Sequence, residues 1–340
     1  MSKYTFKDFK SDQEVRWCPG CGDYSVLASL QKVLPVVCEE KGIDKEKVVV
    51  ISGIGCSSRL PYYMNTYGFH SIHGRATAIA TGVKVANPEL CVWQASGDGD
   101  ALAIGGNHFI HAIRRNVDIN IMLFNNRIYG MTKGQYSPTS KLGAVTKTSP
   151  YGTVEHPFNP GSLVLGAKGT FFARSMDTKL ALNQEIMLAA SRHSGTSVME
   201  FLTNCVIFNN GSHAELSDRE HESERTIILR KGEKMLFGRN NEKGLVLKDG
   251  NLKVVTLGED GYTIDDVLVH DPSVDNLGLH TMLAEMKYPE FPVALGVIRD
   301  VEDITYENEV AKQVEQVKAR ARVHSVDELL RSGSTWEIKE

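Results

Sequence analysis

Five short apolar runs, spaced by helix-length segments, limit this 340-residue chain more than any other feature. KVVVIS, LCVWQAS, INIMLFNN, FFARS and SVMEFL are rich in β-branched and aromatic residues and read as strands. The segment before the first, DYSVLASLQKVLPVVCEEKG, has helical spacing of apolar residues and stops at Gly42. GRATAIATGVKVAN, DALAIGGNHFIHAIRRN, GSLVLGAKG and TKLALNQEIMLAASRHS read as further helices between the strands. This alternation predicts an α/β chain: a doubly wound, mainly parallel sheet with helices on both faces. At 41% hydrophobic residues, the chain can bury a core of that size.

In such a sheet a ligand sits beyond the carboxyl ends of the strands. GIGCSS, SGDGD and NNRIYG each follow a strand immediately, and NCVIFN follows the last, so these loops are expected to line one edge. SGDGD alternates Asp98 and Asp100 with Gly97 and Gly99, and 27 residues separate Asp98 from Asn126. A crossover helix and a neighbouring strand need about that length, which brings the two side chains together. The Asp98 carboxylate, the Asn126 amide oxygen and the Ile128 carbonyl then offer three hard oxygen ligands. Magnesium takes about six and draws the rest from phosphate and water. Gly97 and Gly99 let backbone amides approach a phosphate, and the helix that follows presents its N-terminus to the negative charge.

Of the six cysteines, Cys38 and Cys91 lie in apolar runs and read as buried, inert thiols. Cys18 and Cys21 form a C-x-x-C around Pro19–Gly20, which alone is ambiguous between zinc, a redox dithiol and an iron–sulfur cluster. A zinc ribbon wants a second C-x-x-C, which the chain lacks, and a thioredoxin-like site follows a strand rather than preceding a helix. A four-iron cluster takes four thiolates. The third and fourth can come from distant loops, and Cys56 and Cys205, which follow the first and last of the strands, can lie near the same edge.

The GDG…NN pairing resembles the thiamine diphosphate-binding motif. With WCPGCGDYSVL, GIGCSSR, HGRATAIATGVK, SGDGDALAIGGNHFIHAIRRN and NNRIYGMTKGQYSPTS, the chain resembles the β subunit of 2-oxoacid:ferredoxin oxidoreductases, nearest the 2-oxoglutarate type. The likeness is dense over residues 15–210. It implies the thiamine diphosphate-binding fold and a [4Fe–4S] cluster on Cys18, Cys21, Cys56 and Cys205. It places Ile54, Gly55, Cys56, Ser57 and His73 against thiamine diphosphate, with Gly99 and Asp100 at the diphosphate. Gly130, Met131 and Thr132 close the loop beside the Mg2+ held by Asp98, Asn126 and Ile128. Arg59 matches a basic position that faces the substrate's carboxylates, where a guanidinium can grip bidentately. Lys133 is similar to a position near the substrate and coenzyme A path. The implied reaction is CoA-dependent oxidative decarboxylation of a 2-oxoacid, leaning to 2-oxoglutarate over pyruvate or branched-chain acids, with electrons passed to ferredoxin. Thiamine is normally activated by a glutamate from a second domain that this chain lacks, so the resemblance implies a separate α subunit in an αβ or (αβ)2 enzyme. A non-redox thiamine decarboxylase subunit and a cluster-bearing electron carrier are the rival readings.

The expected organisation is an arm over 1–16, the cofactor domain over 17–208, and a C-terminal extension over 209–340 with subunit contacts. In that extension GSHAELSDREHESERT reads as a solvated connector, LVLKDGNLKVVTL as a hairpin, NLGLHTMLAEMK as a helix and PVALGVIRDV as a strand. A formal charge of −4 and a pI near 6.3 offer no basic field for nucleic acid. No apolar run is long enough to span a bilayer, and MSKYTFKDFKSDQEVRW has no signal-peptide core, so a cytoplasmic chain that binds no membrane is expected.

Overall fold

The computed structural model describes residues 3–339. Its strands are β1 Val48–Ser52, β2 Tyr67–His70, β3 Cys91–Gly97, β4 Asn120–Asn125, β5 Phe171–Met176, β6 Ser197–Leu202, β7 Thr226–Leu229, β8 Leu236–Phe237, β9 Lys243–Lys248, β10 Asn251–Thr256 and β11 Val293–Asp300. Eight of them form one sheet in the order β2-β1-β3-β4-β6-β5-β11-β7. The first six are mutually parallel, whereas β11 runs antiparallel to β5 and carries β7 parallel to itself. The five runs read as strands are β1, β3, β4, β5 and β6.

Both faces of this sheet are covered, which is why those strands read as unbroken apolar runs. Successive side chains point to opposite faces. Trp93 and Met122 therefore join one core with Leu30 and Leu34 of α1 (Asp23–Lys41) and Ile186 of α5 (Leu180–Arg192). Their neighbours Val92, Ile121 and Leu123 join a second core. That core is shared with Ala80 of α2 (Ala76–Ala86), Phe109 of α3 (Gly106–Arg115), Val164 of α4 (Pro160–Gly166) and Leu283 of the helix Leu277–Glu285. Burying each large apolar side chain contributes about 1.5–3 kcal/mol. α1 ends at Gly42, whose φ of 63° supplies the left-handed C-cap that a glycine adopts freely.

Four segments differ from the expectation. DALAIGGNHFIHAIRRN is not one helix: Asp100–Ile104 forms a π-helical turn, and Gly105 separates it from α3. Such turns are rare and favour functional sites. The N-terminal arm is anchored by a 3-10 turn at Phe6–Phe9, whose Phe9 is fully buried. The charged connector contains short helical turns at Ala214–Ser217 and Glu222–Arg225, with His213 and Leu216 buried. The region beyond 208 also contributes β7 and β11 to the main sheet, so the sheet crosses that expected boundary. The hairpin is present as β9 and β10, and its turn residues Asp249 and Gly250 both have positive φ, as a two-residue type I′ turn requires. Among the described residues no helix is long and apolar enough to cross a membrane.

Candidate active site

Ser52 pairs with Ala95, Gly97 with Phe124, and Asn125 with Leu202. This register ends β1, β3, β4 and β6 level, so the loops after them meet at one edge. There, all ten residues expected at the cofactor line a single cleft: Ile54, Gly55, Cys56, Ser57, His73, Gly99, Asp100, Gly130, Met131 and Thr132. Asp98, Asn126 and Ile128 line the same cleft, joined by Gly97 and Tyr129. Asp100 is buried and accepts hydrogen bonds from the amides of Ile54 (3.1 Å) and Gly74 (2.7 Å), tying three loops together. Its Oδ2 and the Nε2 of His73 are buried without a hydrogen-bond partner. The orphaned His73 Nε2, 3.8 Å from Asp100 Oδ1, fits a polar ligand that satisfies it, whereas Asp100 Oδ2 packs against Gly53.

Tyr129, which no motif singles out, stands over the Gly97–Asp100 loop and donates to the Gly99 carbonyl at 2.8 Å. A Cβ on Gly99 would lie 2.3 Å from the Tyr129 ring. Gly99→Ala is therefore expected to displace the ring and destabilise the fold by about 1–3 kcal/mol, as overpacking does. A melting curve of the variant against the parent checks it.

The buried Asp98 carboxylate accepts from Ser137 Oγ at 2.6 Å and from Thr139 Oγ1, and burial pushes its pKa up to about 6. Thr139 Oγ1 also lies 2.9 Å from Asn125 Oδ1. Asn125 in turn donates to Glu200 Oε1 at 2.7 Å, and Glu200 forms a buried ion pair with Arg174 at 2.6 Å. His213 lies 2.9 Å from the Asn125 carbonyl, and burial lowers its pKa to about 3, which keeps it neutral. Asn126 Oδ1 accepts from the Ile128 amide at 3.0 Å, an Asx turn that aims its side chain into the cleft. Glu200→Ala leaves Arg174 buried without its counter-charge. The expected cost is about 3–5 kcal/mol, read by chemical denaturation.

Cys18, Cys21, Cys56 and Cys205 line a second cavity of about 180 Å3 with Trp17, Asp23 and Arg59. Local geometry brings them there. Cys18–Pro19–Gly20–Cys21 is a tight turn closed by the Cys21 amide on the Cys18 carbonyl at 3.0 Å, and Gly20 takes the φ of 82° that it needs. Trp17 Nε1 donates to the Cys56 carbonyl at 2.6 Å, joining this turn to the loop after β1. The Gly22 amide donates to the Asn204 carbonyl at 3.2 Å, joining it to the loop after β6. A Cβ at Gly130 would stand 3.4 Å from Cys205 Sγ and 3.7 Å from Cys56 Sγ, so that glycine keeps the cavity open. Burial pushes both the Cys21 and Cys56 thiols up, Cys56 to about 11. Among the described residues no three His, Cys, Asp or Glu converge on one point as a single metal ion requires. Cys38 and Cys91 are buried away from this cavity.

Arg59 lines the cysteine cavity and an adjoining pocket with Arg16, His70 and Met131. Lys133 is exposed, has a φ of 83°, and lines neither the cofactor cleft nor the cysteine cavity.

Residues 53–201 match the family model of the thiamine pyrophosphate enzyme, C-terminal TPP binding domain. The 2-oxoglutarate oxidoreductase subunit KorB of Mycobacterium tuberculosis is 48% identical over 98% of this chain and 88% of its own length. The 2-oxoglutarate synthase subunit KorB of Archaeoglobus fulgidus is 47% identical over 56% of this chain and 69% of its own. The solved 2-oxoglutarate:ferredoxin oxidoreductase from Magnetococcus marinus, with 2-oxoglutarate, coenzyme A and succinyl-CoA bound, superposes with a TM-score of 0.78. That match has 31% identity and covers 98% of both chains. With 48% identity to one such subunit over nearly its whole length, a match to the TPP binding domain over residues 53–201 and the same fold throughout, this chain belongs to the family of 2-oxoacid:ferredoxin oxidoreductase β subunits.

Proposed function

We propose that this chain is the thiamine diphosphate- and cluster-bearing subunit of an enzyme that converts 2-oxoglutarate and coenzyme A to succinyl-CoA and carbon dioxide. A [4Fe–4S] cluster on its four cysteines would carry the two electrons released on to ferredoxin. The observation that carries this reading is a shared wall: Cys56, Asn126, Gly130 and Met131 line both the cofactor cleft and the cysteine cavity. A cluster in that cavity would lie next to the carbon from which electrons must be taken. The spread of the four thiols over a cavity suits a cluster, which holds its cysteines apart, better than a lone zinc with sulfurs about 2.3 Å from the ion.

Thiamine diphosphate, when bound, supplies the carbanion chemistry for decarboxylation, and the cluster accepts electrons one at a time. The chain's own residues hold and orient these groups. Asp98, Asn126 and the Ile128 carbonyl hold Mg2+. The backbone of Gly99 and Asp100 meets the diphosphate at the start of the π-helical turn, and His73 supplies a ring nitrogen to the same cleft. Gly130, Met131 and Thr132 close the cleft on the cluster side, while Ile54, Gly55 and Ser57 close it on the β1 side. Cys18, Cys21, Cys56 and Cys205 ligate the cluster. Arg59 meets the distal carboxylate of the substrate with a bidentate guanidinium, and Lys133 borders the path of coenzyme A from solvent. The glutamate that activates the aminopyrimidine comes from an α subunit.

The chain should be assembled with its α subunit under anaerobic conditions and assayed for dye or ferredoxin reduction. Reduction is expected to require both 2-oxoglutarate and coenzyme A, to be slower with pyruvate or a branched-chain 2-oxoacid, and to be absent from this chain alone. Turnover by the isolated chain contradicts the requirement for the α subunit. Decarboxylation without dye reduction contradicts the redox assignment.

A further inference from the structure

The two hydroxyls that hold Asp98 fall on the same carboxylate oxygen. Ser137 Oγ reaches Oδ2 at 2.6 Å and Thr139 Oγ1 reaches Oδ2 as well. The backbone amides of Gly99 and of Asp98 itself also bond this carboxylate, and the side-chain donors, Ser137 and Thr139, both fall on Oδ2. A hydroxyl has one proton, and Thr139 also faces Asn125 Oδ1 at 2.9 Å, so it serves one oxygen at a time. The other neighbours of Ser137 Oγ are Thr139 and Ser140, at 3.2 and 3.4 Å, which leaves Asp98 as its closest acceptor. Both hydroxyls are themselves held. The Ser137 amide donates to Ser140 Oγ at 2.8 Å, and that oxygen donates to the Arg127 carbonyl at 2.7 Å. Thr139 is backed by Asn125, which the Glu200–Arg174 pair fixes from the other side.

Building on the proposed role of Asp98 as a metal ligand, we propose that Ser137 and Thr139 are positioning residues that occupy Oδ2, present Oδ1 alone to the cation, and thereby favour Mg2+ over Ca2+. The chemistry follows from the two ions. Magnesium is small, keeps near-ideal octahedral geometry at about 2.0–2.1 Å and suits a single carboxylate oxygen. Calcium takes six to eight oxygens at about 2.3–2.6 Å and readily uses both oxygens of one carboxylate. A carboxylate whose Oδ2 already accepts from Ser137, and from Thr139 whenever that hydroxyl is not turned to Asn125, is poorly placed for the second mode. Outer-shell partners of this kind change metal affinity by about 10–100-fold when removed.

The test is calorimetric titration of the assembled α/β complex with thiamine diphosphate, in the presence of Mg2+ and separately of Ca2+. For the Ser137→Ala/Thr139→Ala variant, Mg2+-supported affinity is expected to fall about 10–100-fold. Ca2+-supported affinity should hold or rise, so that the preference between the ions collapses, and Thr139→Ser should restore much of it. A variant that keeps the wild-type ratio between the ions overturns the proposal, as does an equal loss with both, which marks a merely structural role. Should the double variant not fold, Ser137→Ala alone carries the test, because Thr139 stays tied to Asn125. Failure of the wild-type complex to bind thiamine diphosphate with either ion would instead strike at the cofactor site itself.

Discussion

Asp98→Asn is expected to weaken magnesium-supported thiamine diphosphate binding by more than about 100-fold, since loss of outer-shell partners alone costs about 10–100-fold. The replacement keeps the shape of the side chain and removes its charge. Ser137 and Thr139 both donate to one oxygen of this group. They hold the amide oxygen of the asparagine on their side and turn its NH2 toward the cation. The fold loses little, because both hydroxyls keep an acceptor. A calorimetric titration paired with a melting curve separates these effects: affinity collapses while the transition stays close to wild type. A variant that binds cofactor as tightly as the parent would remove Asp98 from the metal site.

The second large effect is at Cys56. This residue lines both cavities, with its thiol on the cysteine side and its neighbours Gly55 and Ser57 on the cofactor side. Cys56→Ala is expected to abolish the reduced-cluster paramagnetic signal and ferredoxin reduction. Thiamine diphosphate binding should change by only a few-fold, because the Asp98, Asn126 and Asp100 contacts are untouched. Cys38→Ala serves as the comparison, since its thiol lies in the core beneath α1 and should leave the signal intact. A signal that survives Cys56→Ala would assign the cluster to other ligands.

Much of this site can be read in the sequence because it is built at strand ends. β1, β3, β4, β5 and β6 are buried on both faces, so each announces itself as a continuous apolar run followed by its loop. β2, Tyr67–His70, is largely exposed at the sheet edge and has no such pattern. β7, Thr226–Leu229, follows a charged segment and is recruited by β11, a pairing that local sequence does not encode. The same distinction holds among side chains. Most of the residues expected on the loops after the strands line the cleft, whereas Arg59 and Cys205 line the cysteine cavity and Lys133 lines neither. The supports behind them come from elsewhere in the chain: Thr139 meets Asp98 from 41 positions away, and Glu200 meets Asn125 from 75. QYSPTS was visible as part of a motif, but nothing in the order of residues says which carboxylate its hydroxyls would hold. Tyr129 is of the same kind, since its contact with Gly99 depends on how closely two loops approach.

The shared wall at Cys56 and Gly130 is the centre of this account, and the metal content of the chain tests it most directly. Iron, labile sulfide and thiamine diphosphate should be measured per chain on anaerobically purified α/β enzyme, with electron paramagnetic resonance after dithionite reduction. About four irons and four sulfides are expected in this subunit, held by four cysteines, alongside one thiamine diphosphate and a reduced-cluster signal. Thiamine diphosphate bound at full occupancy with no iron in the subunit would contradict it, and would leave the four cysteines without an electron-transfer role.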